Sequence, residues 1–246
     1  MPRWVRRAQP LLGTLVEIGV HAVRPADTTA FDAAFAALHD VQRCLSRFEP
    51  RSDIARFNAL PRGGHLTLQP ASHRVLLAAQ ELFDATDGDF DITLGSAPCG
   101  WRLVGDTLVK LAPEARLDLG GIGKGHAVDC AVQALLEHAC TTGWVNAGGD
   151  MRAFGDADVP VQLRDEVGGG VRPFASVREG ALATSHFDRG TRSQIATGER
   201  ARKVRAHVSV AAPLCLWADA LTKVVAIGGD AAHPLLARYD ATAWLH

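Results

Sequence analysis

A glycine-rich turn between an apolar strand and a helix constrains this chain more than any other stretch. It reads Leu117-Asp118-Leu119-Gly120-Gly121-Ile122-Gly123-Lys124-Gly125-His126-Ala127-Val128-Asp129. Behind the turn, Ala127, Val128, Ala131, Val132, Leu135 and Leu136 recur at helical spacing, so a helix follows. Four glycines in six residues remove side chains where backbone must approach something closely or take φ > 0. A helix N-terminus leaves N–H groups unpaired and carries partial positive charge, which favours an anion. Lys124 adds a full positive charge at the same place. The run has neither Walker spacing nor a G-x-G-x-x-G pattern. Taken alone, a tight turn carrying a surface lysine accounts for it equally well.

The 246 residues are 47% hydrophobic and 22% charged, as in ordinary globular proteins. No linker divides them, so a single domain over residues 1–246 is expected. With a net charge of −1, neither nucleic acid nor a membrane surface is an expected partner. No apolar stretch is long enough to span a membrane, and residues 1–10 lack the apolar core of a signal peptide. As written, the expected compartment is the cytoplasm. The five cysteines (Cys44, Cys99, Cys130, Cys140, Cys215) show no metal-ligand spacing and read as buried structural thiols. Lysine is rare: only Lys110, Lys124, Lys203 and Lys223 occur, so each position invites scrutiny.

Along the chain, strands and helices mix. Residues 11–23 read as a first strand, and Pro25-Ala26-Asp27-Thr28 as a turn with an N-cap. A long amphipathic helix follows, marked by Phe31, Phe35, Leu38, Val41 and Leu45. Ser52 reads as the N-cap of a short helix ending at Asn58, and Ser72 as the cap of a second long helix ending at Asp87-Gly88. Asp89-Phe90-Asp91-Ile92-Thr93 then sets two carboxylates just past a helix C-terminus, where the dipole gives them nothing. That placement suggests hydrogen bonds to a ligand or to nearby backbone, although, taken alone, a solvated turn accounts for it slightly better. Residues 103–111 read as a hairpin around Gly105-Asp106. After the central turn and its helix, Gly143-Trp144-Val145-Asn146-Ala147-Gly148-Gly149-Asp150 is a strand entering a Gly-Gly turn. Residues 159–163, 181–185 and 204–211 are strands. Gly168-Gly169-Gly170 is a turn and 188–203 a loop. Residues 216–227 form a helix carrying Asp219, Thr222 and Lys223, and a short helix and strand close the chain.

These motifs, in this order, resemble one family. Leu12-Gly13-Thr14, Ser46-Arg47-Phe48, residues 52–58, Gly88-Asp89-Phe90-Asp91-Ile92-Thr93, the central 118–129 run, Asn146-Ala147-Gly148-Gly149-Asp150, Ala183-Thr184-Ser185, Ser209-Val210 and Ala218-Asp219-Ala220-Leu221 are similar to the ApbE family, the FAD:protein FMN transferases. The resemblance covers about residues 11–228. It implies an α+β fold, a single ApbE-like domain of mixed β-sheets flanked by helices. It implies FAD as substrate, Mg²⁺ as metal, and transfer of the FMN moiety to a Ser/Thr hydroxyl of an acceptor flavoprotein subunit with release of AMP. Lys124 and Asp219 would be catalytic. Leu12, Phe48, Asp89, Phe90, Asp91, Gly120 and His126 would line the FAD site. The Gly123 carbonyl, Asp219 and Thr222 would hold Mg²⁺. Many family members are exported, which makes the periplasm the alternative compartment.

The chain also departs from the family pattern. Phe48 stands where Tyr is usual, and Lys223 stands where a metal-binding Thr is usual, four residues after Asp219. Ser193-Gln194-Ile195-Ala196-Thr197-Gly198 replaces a His-x-x-Asp-Pro-x-x-Gly loop, and Thr184-Ser185-His186 replaces Thr-Ser-Gly. Asp219 and Lys223 lie at i, i+4 with the acid first, a favourable pairing that would occupy the carboxylate a metal needs. A non-catalytic FAD-binding or flavoprotein-assembly protein and an FAD pyrophosphatase therefore stand as alternatives.

Overall fold

The computed structural model describes residues 3–22, 28–164, 169–187 and 206–246. The expected Pro25–Thr28 cap, the Gly168 end of the glycine turn, the whole 188–203 loop with Lys203, and the start of the 204–211 strand lie outside the described residues or their side chains.

Chain alternation builds one large antiparallel sheet. Its strands are β1 (Arg3–Leu11), β2 (Thr14–Ala22), β6 (Gly143–Ala147), β7 (Asp150–Phe154), β10 (Gly180–Phe187), β11 (Ala206–Ala212) and β12 (Thr242–Leu245), side by side in that order. The single strand expected at residues 11–23 is instead the second arm of a hairpin. Leu11 pairs with Thr14, so Leu12 and Gly13 alone make the turn, at φ 55° and 73°. Positive φ at both turn positions matches the twist of the flanking strands. The Gln42 side chain fixes the strained Leu12 by accepting from its N–H at 2.9 Å. Gly148-Gly149 makes the same kind of turn between β6 and β7, with Ala147 paired to Asp150. Asp150 therefore begins a strand.

Period-2 alternation gives the sheet two buried faces. On one, Val16, Ile18, Val145, Ala147, Ala181 and Ala183 join the main core. On the other, Trp144, Met151, Ala153 and Leu182 form a smaller cluster. A two-stranded ribbon covers that second face, made of β8 (Val159–Arg164) and β9 (Val171–Val177); the sequence pattern had shown only its first strand. The helices cover the first face. α4 (Gly123–Glu137) packs on β6 and β7, α5 (Cys215–Gly228) on β10 and β11, and α1 (Thr28–Leu45) on α4. Each fully buried Val or Leu on α4 contributes about 1.5–3 kcal/mol; Val128, Val132 and Leu135 are all fully buried.

The remaining elements are α2 (Asp53–Ala59), α3 (Pro70–Ala85), a small sheet of β3 (His65–Thr67), β5 (Thr107–Lys110) and β4 (Trp101–Val104), and a 3-10 helix at Pro234–Tyr239. Ser52 caps α2 as its sequence indicates, accepting from Ala55 N–H at 2.9 Å. Ser72 does not cap α3. The helix begins two residues earlier because Pro70, with its fixed φ and no N–H, takes the first position. Ser72 is thus inside α3, its hydroxyl buried without a partner among the described residues. Lys110 is fully buried and donates to the Asn58 carbonyl in the last turn of α2 at 3.0 Å. The five cysteines are free thiols; Cys44 and Cys215 are buried, Cys130 and Cys140 half-buried, and Cys99 is exposed, against expectation. No helix among the described residues is long and apolar enough to cross a membrane.

Candidate active site

The start of α4 crosses the start of α5, and Gly125 is where they touch. A Cβ at Gly125 would lie 2.2 Å from the Cys215 carbonyl oxygen and 2.8 Å from the Asp219 Cβ. No side chain fits there. Close approach, rather than positive φ, is what the glycines of this turn supply: none of Gly120, Gly121, Gly123 and Gly125 has a positive φ.

At the crossing the helices cap each other. α4 has no capping side chain of its own, and neither has α5. Asp219 of α5 accepts from the Gly125 N–H at 3.1 Å. In return, Asp129 of α4 accepts from Cys215 and Leu216 N–H at 3.0 and 2.9 Å. Each carboxylate satisfies first-turn donors that would otherwise be orphaned, and meets the positive end of the other helix. Arg152 holds Asp129 from β7 at 2.9 Å. Ahead of α4, Asp118 accepts from Gly120 N–H at 2.8 Å and pairs with Arg47 at 2.9 Å.

Two lysine–aspartate pairs stand at this crossing. Lys124 pairs with Asp150, and Lys223 pairs with Asp219. Both aspartates are fully buried. Lys223, also buried, donates further to the Asp219 carbonyl at 2.9 Å and to Ser185 Oγ at 3.3 Å. Thr222 donates its hydroxyl to the same carbonyl at 2.7 Å and meets Ser185 Oγ at 2.8 Å. Burial opposes charge on Lys124, but Asp150 and Asp219 outweigh it and hold the ammonium above the usual lysine value. Burial and the neighbouring Asp219 raise the pKa of Asp150, against the pull of Lys124 and Lys223. Burial works against Asp219 as well, yet Lys124, Lys223 and the Gly125 N–H together hold it below the usual carboxylate value.

Two cavities open here and share a wall. The smaller, about 350 Å³, is lined by Leu12, Val41, Leu45, Phe48, Asp118 and Leu119, together with Gly120, Gly123 and Lys124. The Phe48 ring is 78% exposed, with the Arg47 guanidinium 4.4 Å from its centroid. The larger, about 880 Å³, is lined by Glu17, Asn146, Thr184, His186, His207 and Lys223, and again by Gly120 and Lys124.

The fold thus brings Leu12, Phe48, Gly120, Gly123, Lys124 and Asp219 to one place. Asp89, Phe90, Asp91 and His126 line neither of these two cavities. Phe90 is in the core. Asp91 spends its oxygens on its own turn, accepting from Thr93 N–H and hydroxyl at 2.8 Å each and from Gly95 N–H at 3.0 Å. His126 is buried beside Cys130, and burial, aided by Arg74, lowers its pKa to about 4, so its imidazole is neutral at neutral pH. Thr222 faces Ser185 beneath the site. Asp150 and Asp129 are the residues whose part the sequence pattern understated. The turn before Asp150 was a usable signal; nothing local tied Asp129 to a helix 86 residues away.

Comparison with known proteins identifies the family of the chain. The model of the ApbE family matches residues 12–245. The FAD:protein FMN transferase of Treponema pallidum is 26% identical over 73% of this chain, and that of Rhodobacter capsulatus is 26% identical over 92%. The chain spans 63% and 52% of the lengths of those two relatives. Among solved structures, the flavin transferase ApbE from Vibrio cholerae superposes with a TM-score of 0.82 over 100% of this chain and 94% of its own, at 18% identity, which establishes a shared fold. With the family's pattern matched from the first hairpin to the last strand, the chain belongs to the ApbE family.

Proposed function

We propose that this chain, as one domain, is an FAD:protein FMN transferase that moves the FMN moiety of FAD to a Ser/Thr hydroxyl of an acceptor flavoprotein and releases AMP. The pair of cavities sharing Gly120 and Lys124 carries the reading. FAD is two ring-bearing halves joined by a pyrophosphate. Lying across both cavities, it would set that pyrophosphate against the shared wall, where α4 begins and Lys124 stands. The names of the sequence relatives support the same activity.

In such a transfer the acceptor oxygen forms a bond to the FMN-side phosphorus. The bond from that phosphorus to the AMP oxygen breaks, its electrons stay on AMP, and the hydroxyl proton passes to a base. Little covalent chemistry is asked of the protein, so positioning and charge neutralisation dominate. Lys124 supplies charge, and Asp150 holds its ammonium in place. Leu12, Phe48 and Gly120 contact FAD, Phe48 through an exposed ring face. Asp89, Phe90, Asp91 and His126 line neither cavity and have no assigned contact with FAD in this arrangement. His186 and His207, with rings 5.3 Å apart in the larger cavity, are bases on the acceptor side.

Mg²⁺ at Gly123, Asp219 and Thr222 does not fit the residues as arranged. One Asp219 oxygen holds Lys223 and the other holds the Gly125 N–H, while the Thr222 hydroxyl serves Asp219's carbonyl and Ser185. Mg²⁺ requires near-octahedral oxygen ligands. A second cation about 4 Å from Lys223 would be repelled by about 4 kcal/mol at an effective dielectric of 20. Asp150 Oδ1 has no partner among the described residues, but the other oxygen of the same carboxylate already holds Lys124.

The saturated Asp219 favours a second reading, an FAD-binding protein without turnover. One experiment separates these. The protein is incubated with FAD and a flavoprotein subunit bearing a Ser/Thr flavinylation site, and AMP, free FMN and acceptor-bound flavin are measured. AMP with covalently bound flavin supports the transferase. AMP with free FMN makes it a pyrophosphatase, and saturable binding without AMP a binding protein. No FAD binding at high micromolar concentration defeats all three.

A further inference from the structure

We propose that Lys223 is the resident cation of this site, standing in for the divalent metal, so that FAD binds without Mg²⁺. The inference rests on the FAD-binding reading above and deepens it. Its basis is geometric. The lysine stem runs beneath the glycine turn: a Cβ on Gly121 would lie 3.4 Å from Lys223 Cε. Its ammonium is buried at the base of the larger cavity and is fixed by three acceptors, Asp219 Oδ1, the Asp219 carbonyl and Ser185 Oγ. Asp219 is thereby filled: its second oxygen caps α4 through Gly125. The four charged groups, Lys124, Asp150, Lys223 and Asp219, balance as two cations and two anions, with no net negative charge left to recruit a metal. An incoming pyrophosphate meets two fixed ammonium groups instead. Lysine serves phosphate as a point charge and needs no dedicated ligand set.

The test has an arm that does not involve FAD. Mn²⁺, used as the probe for Mg²⁺, is titrated into the free protein and followed by electron paramagnetic resonance. Wild type should show no binding below about 1 mM, and Lys223→Thr should bind at least about tenfold more tightly, because the repelling cation is gone and Asp219 is released. Lys223→Met, of similar length and uncharged, is the fallback if the Thr variant does not fold. Wild-type binding of Mn²⁺ at tens of micromolar that Asp219→Asn abolishes overturns the proposal. In the second arm FAD is titrated by flavin fluorescence in EDTA and in excess Mg²⁺. The expected wild-type affinities agree within about twofold, whereas Lys223→Thr weakens in EDTA by about tenfold and recovers with Mg²⁺. A wild-type affinity that rises about tenfold or more with Mg²⁺ also overturns it. Failure of FAD to bind in either medium defeats the transferase reading, while the Mn²⁺ arm still decides the role of Lys223.

Discussion

Asp150 and Asp219 invite comparison, because they share a side chain type, complete burial and a lysine partner, yet differ in acidity. Asp150 is pushed up and Asp219 is held down. Burial and the neighbouring Asp219 charge raise Asp150, whereas Lys124, Lys223 and the Gly125 N–H outweigh burial at Asp219. Asp219 has a donor for each, an ammonium and a helix N–H, while one oxygen of Asp150 has no partner among the described residues. A buried carboxylate stays ionised when its charge is hydrogen-bonded and paired, and resists ionisation when it is only partly so. Asp219 therefore belongs to the architecture, joining α4 to α5. Asp150, beside the cavity wall, holds a lysine and keeps an acceptor in reserve.

Removing the architectural acid should have the largest effect. Asp219→Asn leaves Lys223 buried without its counter-charge, and about 3–5 kcal/mol of stability should be lost at neutral pH in chemical denaturation. The folded pKa of Asp219 lies below the ordinary 3.8, so its contribution is present above that pH and fades as pH falls through the folded value. The gap between wild type and variant should accordingly shrink on acidification. A gap that is constant with pH would mean that Asp219 is not ionised in the fold.

Lys124→Met sharpens the contrast from the cavity side. AMP release should fall about 10²-fold, roughly 2.7 kcal/mol on the barrier, through loss of fixed charge at the pyrophosphate. Its melting temperature should move little, since Asp150 already resists ionisation and can take a proton. Equal loss of stability and activity would place Lys124 with the architecture.

Asp150→Asn should cost less than Asp219→Asn, about 1–2 kcal/mol, because Lys124 is one-third exposed and water can solvate it. The sign of the pH effect reverses. A raised folded pKa stabilises below 3.8, and that contribution is lost as pH rises through the folded value. The advantage of wild type over Asp150→Asn should therefore shrink as pH rises above 3.8 through the folded value.

Phe48→Ala should have the smallest effect, on binding alone. The exposed ring contributes nothing to the core, so stability should hold within about 0.5 kcal/mol. FAD affinity should weaken by about 0.5–1.5 kcal/mol, as expected for a lost ring contact. Unchanged affinity would remove the smaller cavity from the FAD path.

Much of this was legible in the residues. The glycine turn, its helix and the α5 segment follow from periodicity, and the motif order pointed to the family over nearly the whole chain. Local chemistry misled where two signals competed. Ser72 is a good cap residue, but Pro70 two positions earlier sets the helix start. Residues 11–23 alternate like one strand, yet Leu12-Gly13 reverses the chain because both residues adopt positive φ. The β9 strand carries few apolar residues facing the core, so its pairing with β8 left little trace in the pattern.

Residue order and spacing suffice to start α4 at a glycine-rich turn with Lys124, and to put Asp219 and Lys223 on one face of α5. Helical spacing is local, so i, i+4 partners can be read directly. The folded packing is what makes Asp219 cap α4 across 94 residues, makes Asp129 cap α5 in return, and buries Lys223 instead of leaving it solvated. Those outcomes depend on how closely two helices pack, which Gly125 permits, and packing distance is a property of the assembled core rather than of either segment.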